Sequence, residues 1–350
     1  MQIGLDIGRQ YAKIVVLEKL RDGVKLLNYD SSRIPETNKP FDPENLDNHL
    51  VIMAVKDLIK KMNLKPKHFR KLTTAISGSN SSLKQITAMD LPTDELNASM
   101  MFEARKHVPM DGTDAVIDFQ VLGSNKFEAD KIDLVLAACT KRARVNHTKL
   151  LKDIGIKPSI IDTEPIAVLN AYLQSNQLSE EGAVVLLDIG AITTSLVAWG
   201  EQDLFFTRDI PRGVHDLVKN ISMIKSISYM EADDLLFKEG IEVFTAEEVQ
   251  DETLISVSER SSIDLLIEDI RRTLRFYTKN SNQSFFSSVY LCGGGCNIIG
   301  LTEYIEKTLQ IKTQIFNPFI NIQSKNGLEI ESSGKYAVAT GLALRSGIEA

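Results

Sequence analysis

Apolar and β-branched residues crowd positions 2–6 and 11–17. A similar stretch at 24–31 follows the turn signal Asp22-Gly23, so the chain opens on a meander of three predicted strands. Pro35, Pro40 and Pro43 mark 31–45 as a loop. Leu50, Ala54, Leu58 and Met62 then recur at helical spacing within 46–62, and Leu72 to Ser77 reads as a short strand. The next helix is expected over 93–108, with Thr93 as its cap, Leu96, Met100, Ala104 and His107 on one stripe, and Pro109 as its stop. Strands at 114–123 and 131–138 precede a helix at 141–154 that Gly155 closes. Residues 84–155 thus read as a helix–strand–strand–helix package inserted into a larger α/β fold.

The second half repeats the opening pattern. Strands are expected at 182–188, 193–199 and 203–209, and helices at 213–225 and 229–238. A long helix at 256–279 carries Ile263, Ile267, Ile270, Leu274 and Tyr277 on one face. A strand at 287–292 runs into Gly293-Gly294-Gly295, and a helix begins near Leu301. The repeat is visible in the letters: LDIGRQYAKIVVL at 5–17 and LDIGAITTSLVAW at 187–199. The expected organisation is therefore two lobes. Residues 1–83 and 156–181 form the first, 84–155 its insertion, and 331–350 a terminal helix returning to it. Residues 182–215 and 287–330 form the core of the second lobe, with 216–286 as its outer subdomain.

A strand ending in Asp-x-Gly places a carboxylate at the mouth of a sheet and allows a tight turn whose glycine N–H is expected to face a phosphate. Two such hairpins facing each other can clamp a nucleoside triphosphate. Asp6 and Asp188 would hold a hydrated magnesium ion, Gly8 and Gly190 would make the turns, and Lys13, Thr193 and Thr194 would supply side-chain donors. The run Gly293-Gly294-Gly295 after a buried strand permits close approach of a flat or anionic ligand, and packing alone also explains it. Glu164 precedes Pro165 at a helix start, where it either faces the magnesium water as the candidate catalytic residue or simply complements the helix dipole.

Composition narrows this picture. The chain has 350 residues with 40 Lys and Arg against 47 Asp and Glu, a net charge of −7 that argues against general nucleic-acid binding. No apolar run reaches the length of a membrane span, and Asp6, Arg9 and Lys13 interrupt the first apolar stretch, so neither insertion nor a signal peptide is expected. Cys139, Cys292 and Cys296 read as apolar filler in a reducing cytoplasm, and the five scattered histidines offer no zinc spacing.

In order and spacing, the two Asp-Ile-Gly hairpins, the Glu164-Pro165 helix and the triple glycine resemble the phosphate loops, connecting helix and adenosine loop of the actin-like ATPase superfamily. Within it, MFEARKHVP (101–109), FTRDIPRG (206–213), YMEADDLLFKEG (229–240) and LIEDIRRTLRFY (266–277) are similar to stretches of the type IV pilus assembly PilM family, over essentially the whole chain. The first phosphate loop reads Gly8-Arg9-Gln10-Tyr11 where that family is rich in serine, and Leu236 stands where relatives carry an adenine-contacting lysine. The resemblance implies ATP and Mg2+ between the lobes with weak or no hydrolysis. It also implies a cytoplasmic scaffold peripheral to the inner membrane, bound to the N-terminal peptide of a PilN-like partner. Through that partner it would reach PilO, PilP and the motor ATPases. Met101, Phe102 and Val108 are the expected lining of the peptide groove, although core packing of their helix explains them equally. The final GLALRSGIEA carries no amphipathic basic tail, which makes a protein tether the expected route to the membrane. The alternatives are an FtsA-like polymerising, membrane-associated ATPase, a sugar kinase, and an adaptor with a closed cleft.

Overall fold

The computed structural model describes residues 1–34, 42–43, 45–76, 81–104, 106, 115–176, 178, 181–200, 204–244, 261–281, 283, 285–324 and 332–345. The opening meander consists of β1 (Gln2–Ile7), β2 (Tyr11–Leu20) and β3 (Gly23–Arg33), followed by α1 (Asn48–Lys61) and β4 (Leu72–Ile76). Asp47 caps α1 by accepting the His49 N–H at 2.8 Å. The inserted package contains β5 (Ser81–Met89), α2 (Thr93–Ala104), β6 (Ala115–Ser124), β7 (Lys131–Thr140) and α3 (Lys141–Ile154). Its first strand, β5, was not anticipated. The first hydrogen bond of α2 runs from the Leu96 N–H to the Pro92 carbonyl, which puts Thr93 inside the helix and not at its cap. Gly155, at φ 93°, closes α3 as its letter requires. The short strand β8 (Ile160–Thr163) then feeds α4 (Glu164–Ser175).

The second half gives β9 (Ala183–Ile189), β10 (Thr194–Trp199), β11 (Phe206–Ile210), α5 (Val214–Lys225), α6 (Tyr229–Glu239) and α7 (Ser262–Asn280). It ends with β12 (Phe286–Cys292), α8 (Leu301–Leu309), β13 (Thr313–Ile315), β14 (Gln323–Ser324) and α9 (Ala337–Arg345). The first lobe's sheet has the order β14-β3-β2-β1-β4-β8, the second lobe's β11-β10-β9-β12-β13, and the insertion's β5-β7-β6.

Alternation along the strands sorts the core. Ile3, Leu5, Ile14 and Val16 face α1 and α3, whereas Val15, Leu17 and Leu26 pack with Ala339 and Ala343 of α9. A Cβ at Gly4 would overlap the Ala339 carbonyl, so glycine sets how closely α9 lies on the sheet. In the second lobe the predicted stripe of α7, from Ile263 to Tyr277, is buried against β9, β10 and β12. Ala167, Val168 and Tyr172 of α4, with Val338 and Leu342 of α9, pack on Val184, Leu186 and Val197, so these two helices join the lobes.

The insertion is not closed on itself. Leu96, Met100 and Ala104 of α2 bury against Leu134 and Leu136, but Leu151 and Ile154 of α3 bury in the first lobe. Its edge strand β5 also meets β11 of the second lobe. The Phe205 N–H donates to Gln85 Oε1 at 2.7 Å, and the Thr207 hydroxyl donates to the Leu83 carbonyl at 2.9 Å.

Candidate functional site

The two hairpins are equivalent to the residue. Asp6 on β1 is the register partner of Lys13 on β2, and Asp188 on β9 that of Ser195 on β10. Each turn closes in the same way: the Gly8 N–H donates to the Tyr11 carbonyl at 3.0 Å, and the Gly190 N–H to the Thr193 carbonyl at 2.9 Å. This corrects the expectation that these glycine N–H groups face a ligand, because the turns consume them. Thr194 is corrected as well. It is fully buried and its hydroxyl donates to the Arg212 carbonyl at 2.9 Å, on the opposite side of β10 from Ser195.

The hairpins face each other across a cavity of about 920 Å3, whose walls include Asp6, Gly8, Lys13, Glu164, Asp188, Gly190, Thr193, Gly293 and Gly294. Gly293 has φ 79°, and a Cβ there would collide with the Asp188 carboxylate. Around Gly294 the space is open, whereas Gly295 is buried against Ile189 and Val214, behind the wall. Glu164 begins α4, ahead of Pro165, so its carboxyl meets the positive end of that helix as well as the cavity.

Negative charge dominates this interior. Lys13 Nζ pairs with Asp6 at 2.8 Å, both side chains nearly buried. Burial alone would pull the Lys13 ammonium down, but Asp6, then Asp188 and Glu164, outweigh it and raise it. Burial pushes the Asp188 carboxyl up to about 6; Lys13 opposes the rise, while Asp6 and Asp209 add to it. Glu164 rises well above the carboxylate range, chiefly through burial and then through Asp6, Asp188 and Asp209. Burial thus works against the charged form of both Asp188 and Glu164, and a cation entering the cleft would relieve that cost. Among the described residues no three carboxylate, imidazole or thiolate groups are placed to ligate one metal directly. A divalent ion held here would rely on water or ligand oxygens for most of its shell.

At the mouth the lobes touch. Asp233 on α6 accepts from Arg33 at 3.2 Å and from Gln10 at 3.3 Å, both on the first lobe. Arg33, Asp209, Asp233, Asp234 and Phe237 were missing from the sequence-derived site, although all five line the cavity. The helical period held the signal for Asp233 and Phe237. Once Ala232 and Leu236 are assigned to the core, residues 233 and 237 fall on the neighbouring stripe. Leu236 itself is fully buried, so it cannot occupy an adenine-contact position, and Lys238 is exposed. Arg9 and Tyr11 line the cavity without filling it. Of the expected peptide contacts, Met101 is half-buried, Phe102 is 69% exposed, and Val108 lies outside the described residues.

The fold has known counterparts. A structure of the PilM–PilN type IV pilus biogenesis complex is similar over 99% of both chains, with a TM-score of 0.81 at 23% identity. The ethanolamine utilization protein EutJ of Carboxydothermus hydrogenoformans is similar over 98% of this chain and 89% of its own, with a TM-score of 0.55 at 15% identity. The fold is thus the actin-like ATPase fold. The cell division protein FtsA of Buchnera aphidicola is 22% identical over 210 residues, 54% of this chain and 50% of that protein, so this chain spans about half the length of that curated relative. The family model described as type IV pilus assembly protein PilM matches residues 4–347, and the chain belongs to that family.

Proposed function

We propose that this protein is a cytoplasmic scaffold of the type IV pilus inner-membrane assembly complex. It binds the N-terminal cytoplasmic peptide of a PilN-like partner and holds ATP with Mg2+ between its lobes. The family match over nearly the whole chain carries the scaffold reading, and the likeness to the PilM–PilN complex supports the choice of partner. Contact with PilO and PilP would then be indirect. No described helix is long and apolar enough to cross a membrane, which fits a tether through that partner.

The donor set suits the nucleotide. Lys13 offers a buried cation to phosphate, Asp6 and Asp188 offer carboxylates to a hydrated Mg2+, and the open space at Gly294 admits a flat ring. Burial and the neighbouring carboxylates hold the Glu164 carboxyl well above the usual carboxylate range, and it lines the same cleft as the candidate catalytic residue. Calorimetric titration with ATP and Mg2+ is expected to give saturable binding that Asp188→Ala abolishes. A folded wild type that takes up no nucleotide would leave a scaffold without a cofactor.

For the peptide, Phe102→Ala is expected to weaken the complex about tenfold, the usual cost of removing an aromatic anchor, because Phe102 presents its ring outward from α2. Fluorescence anisotropy with the labelled partner peptide checks this. Unchanged affinity in a folded variant would remove Phe102 from the groove.

A further inference from the structure

The acidic character of the chain is unevenly spread. Residues 48–71 and 141–157 contain thirteen Lys and Arg and only two acidic residues, Asp57 and Asp153, leaving 27 basic against 45 acidic residues elsewhere. These segments are neighbours in space. The apolar sides of α1 and α3 share one core with Phe69 of the 3-10 turn Pro66–Lys71, all on the face of the first sheet opposite α9. Their outward sides therefore form one surface. Lys56, Lys60, Lys65, Lys67, Arg70 and Lys71 are exposed on the α1 side, as are Lys141, Arg144, Lys149, Lys152 and Lys157 on the α3 side. Lys61 is occupied by Asp30 at 2.8 Å.

We infer that this face of α1 and α3 is an electrostatic docking surface for an anionic lipid bilayer. The chemistry selects that occupant among the anions. Ten of the thirteen cations are lysines, compact charges on flexible stems that suit a diffuse charged plane better than the bidentate forks needed to grip one carboxylate or phosphate. Phe69 is buried and no Tyr or Trp occurs in these segments, so beyond imidazoles such as that of His49 the face offers no aromatic ring to a nucleic-acid base. Val145 of α3 and Met53 of α1 are half exposed, two isolated apolar side chains and not the continuous stripe of an amphipathic anchor. Contact is thus superficial and salt-sensitive. It is independent of the partner peptide and would orient the scaffold with this face of the first lobe toward the membrane.

The test is co-sedimentation of the purified chain, without partner or nucleotide, with phosphatidylcholine vesicles and with vesicles of which a third is phosphatidylglycerol. Binding is expected only to the anionic vesicles, and is expected to fade as salt rises. Each lysine close to such a surface contributes about fivefold in affinity. The combined variant Lys60→Glu, Lys67→Glu, Lys149→Glu, Lys152→Glu is therefore expected to bind at least about five hundredfold less well. Lys279→Glu with Lys307→Glu, exposed on the second lobe, serves as the folded control and should match wild type. Wild type that stays in the supernatant, or a quadruple variant that pellets as well as wild type, overturns the inference. So does retention on soluble polyglutamate or duplex DNA with no binding to vesicles, which would make the face a site for a macromolecular anion.

Discussion

Asp188→Asn is expected to make the nucleotide-free protein more stable above about pH 7, by at most about 3 kcal/mol, while abolishing Mg–ATP binding. The gain follows from linkage. Burial lifts the Asp188 carboxyl from 3.8 to about 6. Below about pH 4 the folded and unfolded chains are both protonated here, and the group costs nothing. Between about 4 and 6 the unfolded chain has released its proton and the folded chain has not, so stability falls as pH rises. Above about 6 the folded chain carries the buried charge at full cost, which the shift from 3.8 sets at about 3 kcal/mol. Asparagine keeps the shape and removes the charge. It also takes one favourable neighbour from Lys13, so the figure is an upper bound. Denaturant unfolding at about pH 5 and pH 8 reads the outcome. Wild type should lose stability between them, and the variant should lose less. An asparagine variant weaker than wild type at pH 8 would mean that the Asp188 charge is already compensated without nucleotide.

The elements behind that prediction were legible because they are local. The words LDIG at 5–8 and 187–190 are strands meeting turns, and runs of apolar and β-branched residues with short turns between them gave the meanders around them. What escaped depends on register or on distant partners. Thr193 and Thr194 both read as donors to the ligand, but Thr194 begins strand β10 and its side chain turns away from the cavity to the Arg212 carbonyl. The glycine N–H groups were assigned to a ligand before the backbone accounting of the turns was known. Strand β5 reads SSLKQITAM, with too few apolar residues to stand out, and its pairing with β7 lies some fifty residues ahead. Arg33 ends a strand whose letters say nothing of Asp233, 200 residues away. The cleft wall was thus readable from its own sequence, and the contacts across it were not.

Lys13→Met is expected to destabilise the protein by about 3–5 kcal/mol, the range seen when one partner of a buried ion pair is removed. Asp6 and Lys13 are only 5% and 13% exposed, and their 2.8 Å contact is the main reason the lysine keeps its charge against burial. Without the ammonium, Asp6 loses its paired cation beside Asp188 and Glu164, and these carboxyls must bind protons or the lobes must part. Adding Asp6→Asn to Lys13→Met should recover most of the loss, since a neutral, similarly shaped pair leaves no uncompensated charge. Urea unfolding of wild type, single variant and double variant near neutral pH gives the comparison. The single variant should also regain stability as pH falls toward about 5, because protons then replace the missing cation at Asp188. A Lys13→Met protein as stable as wild type would show that the cleft tolerates its carboxylates unaided. In that case the lysine is kept for the ligand and not for the fold.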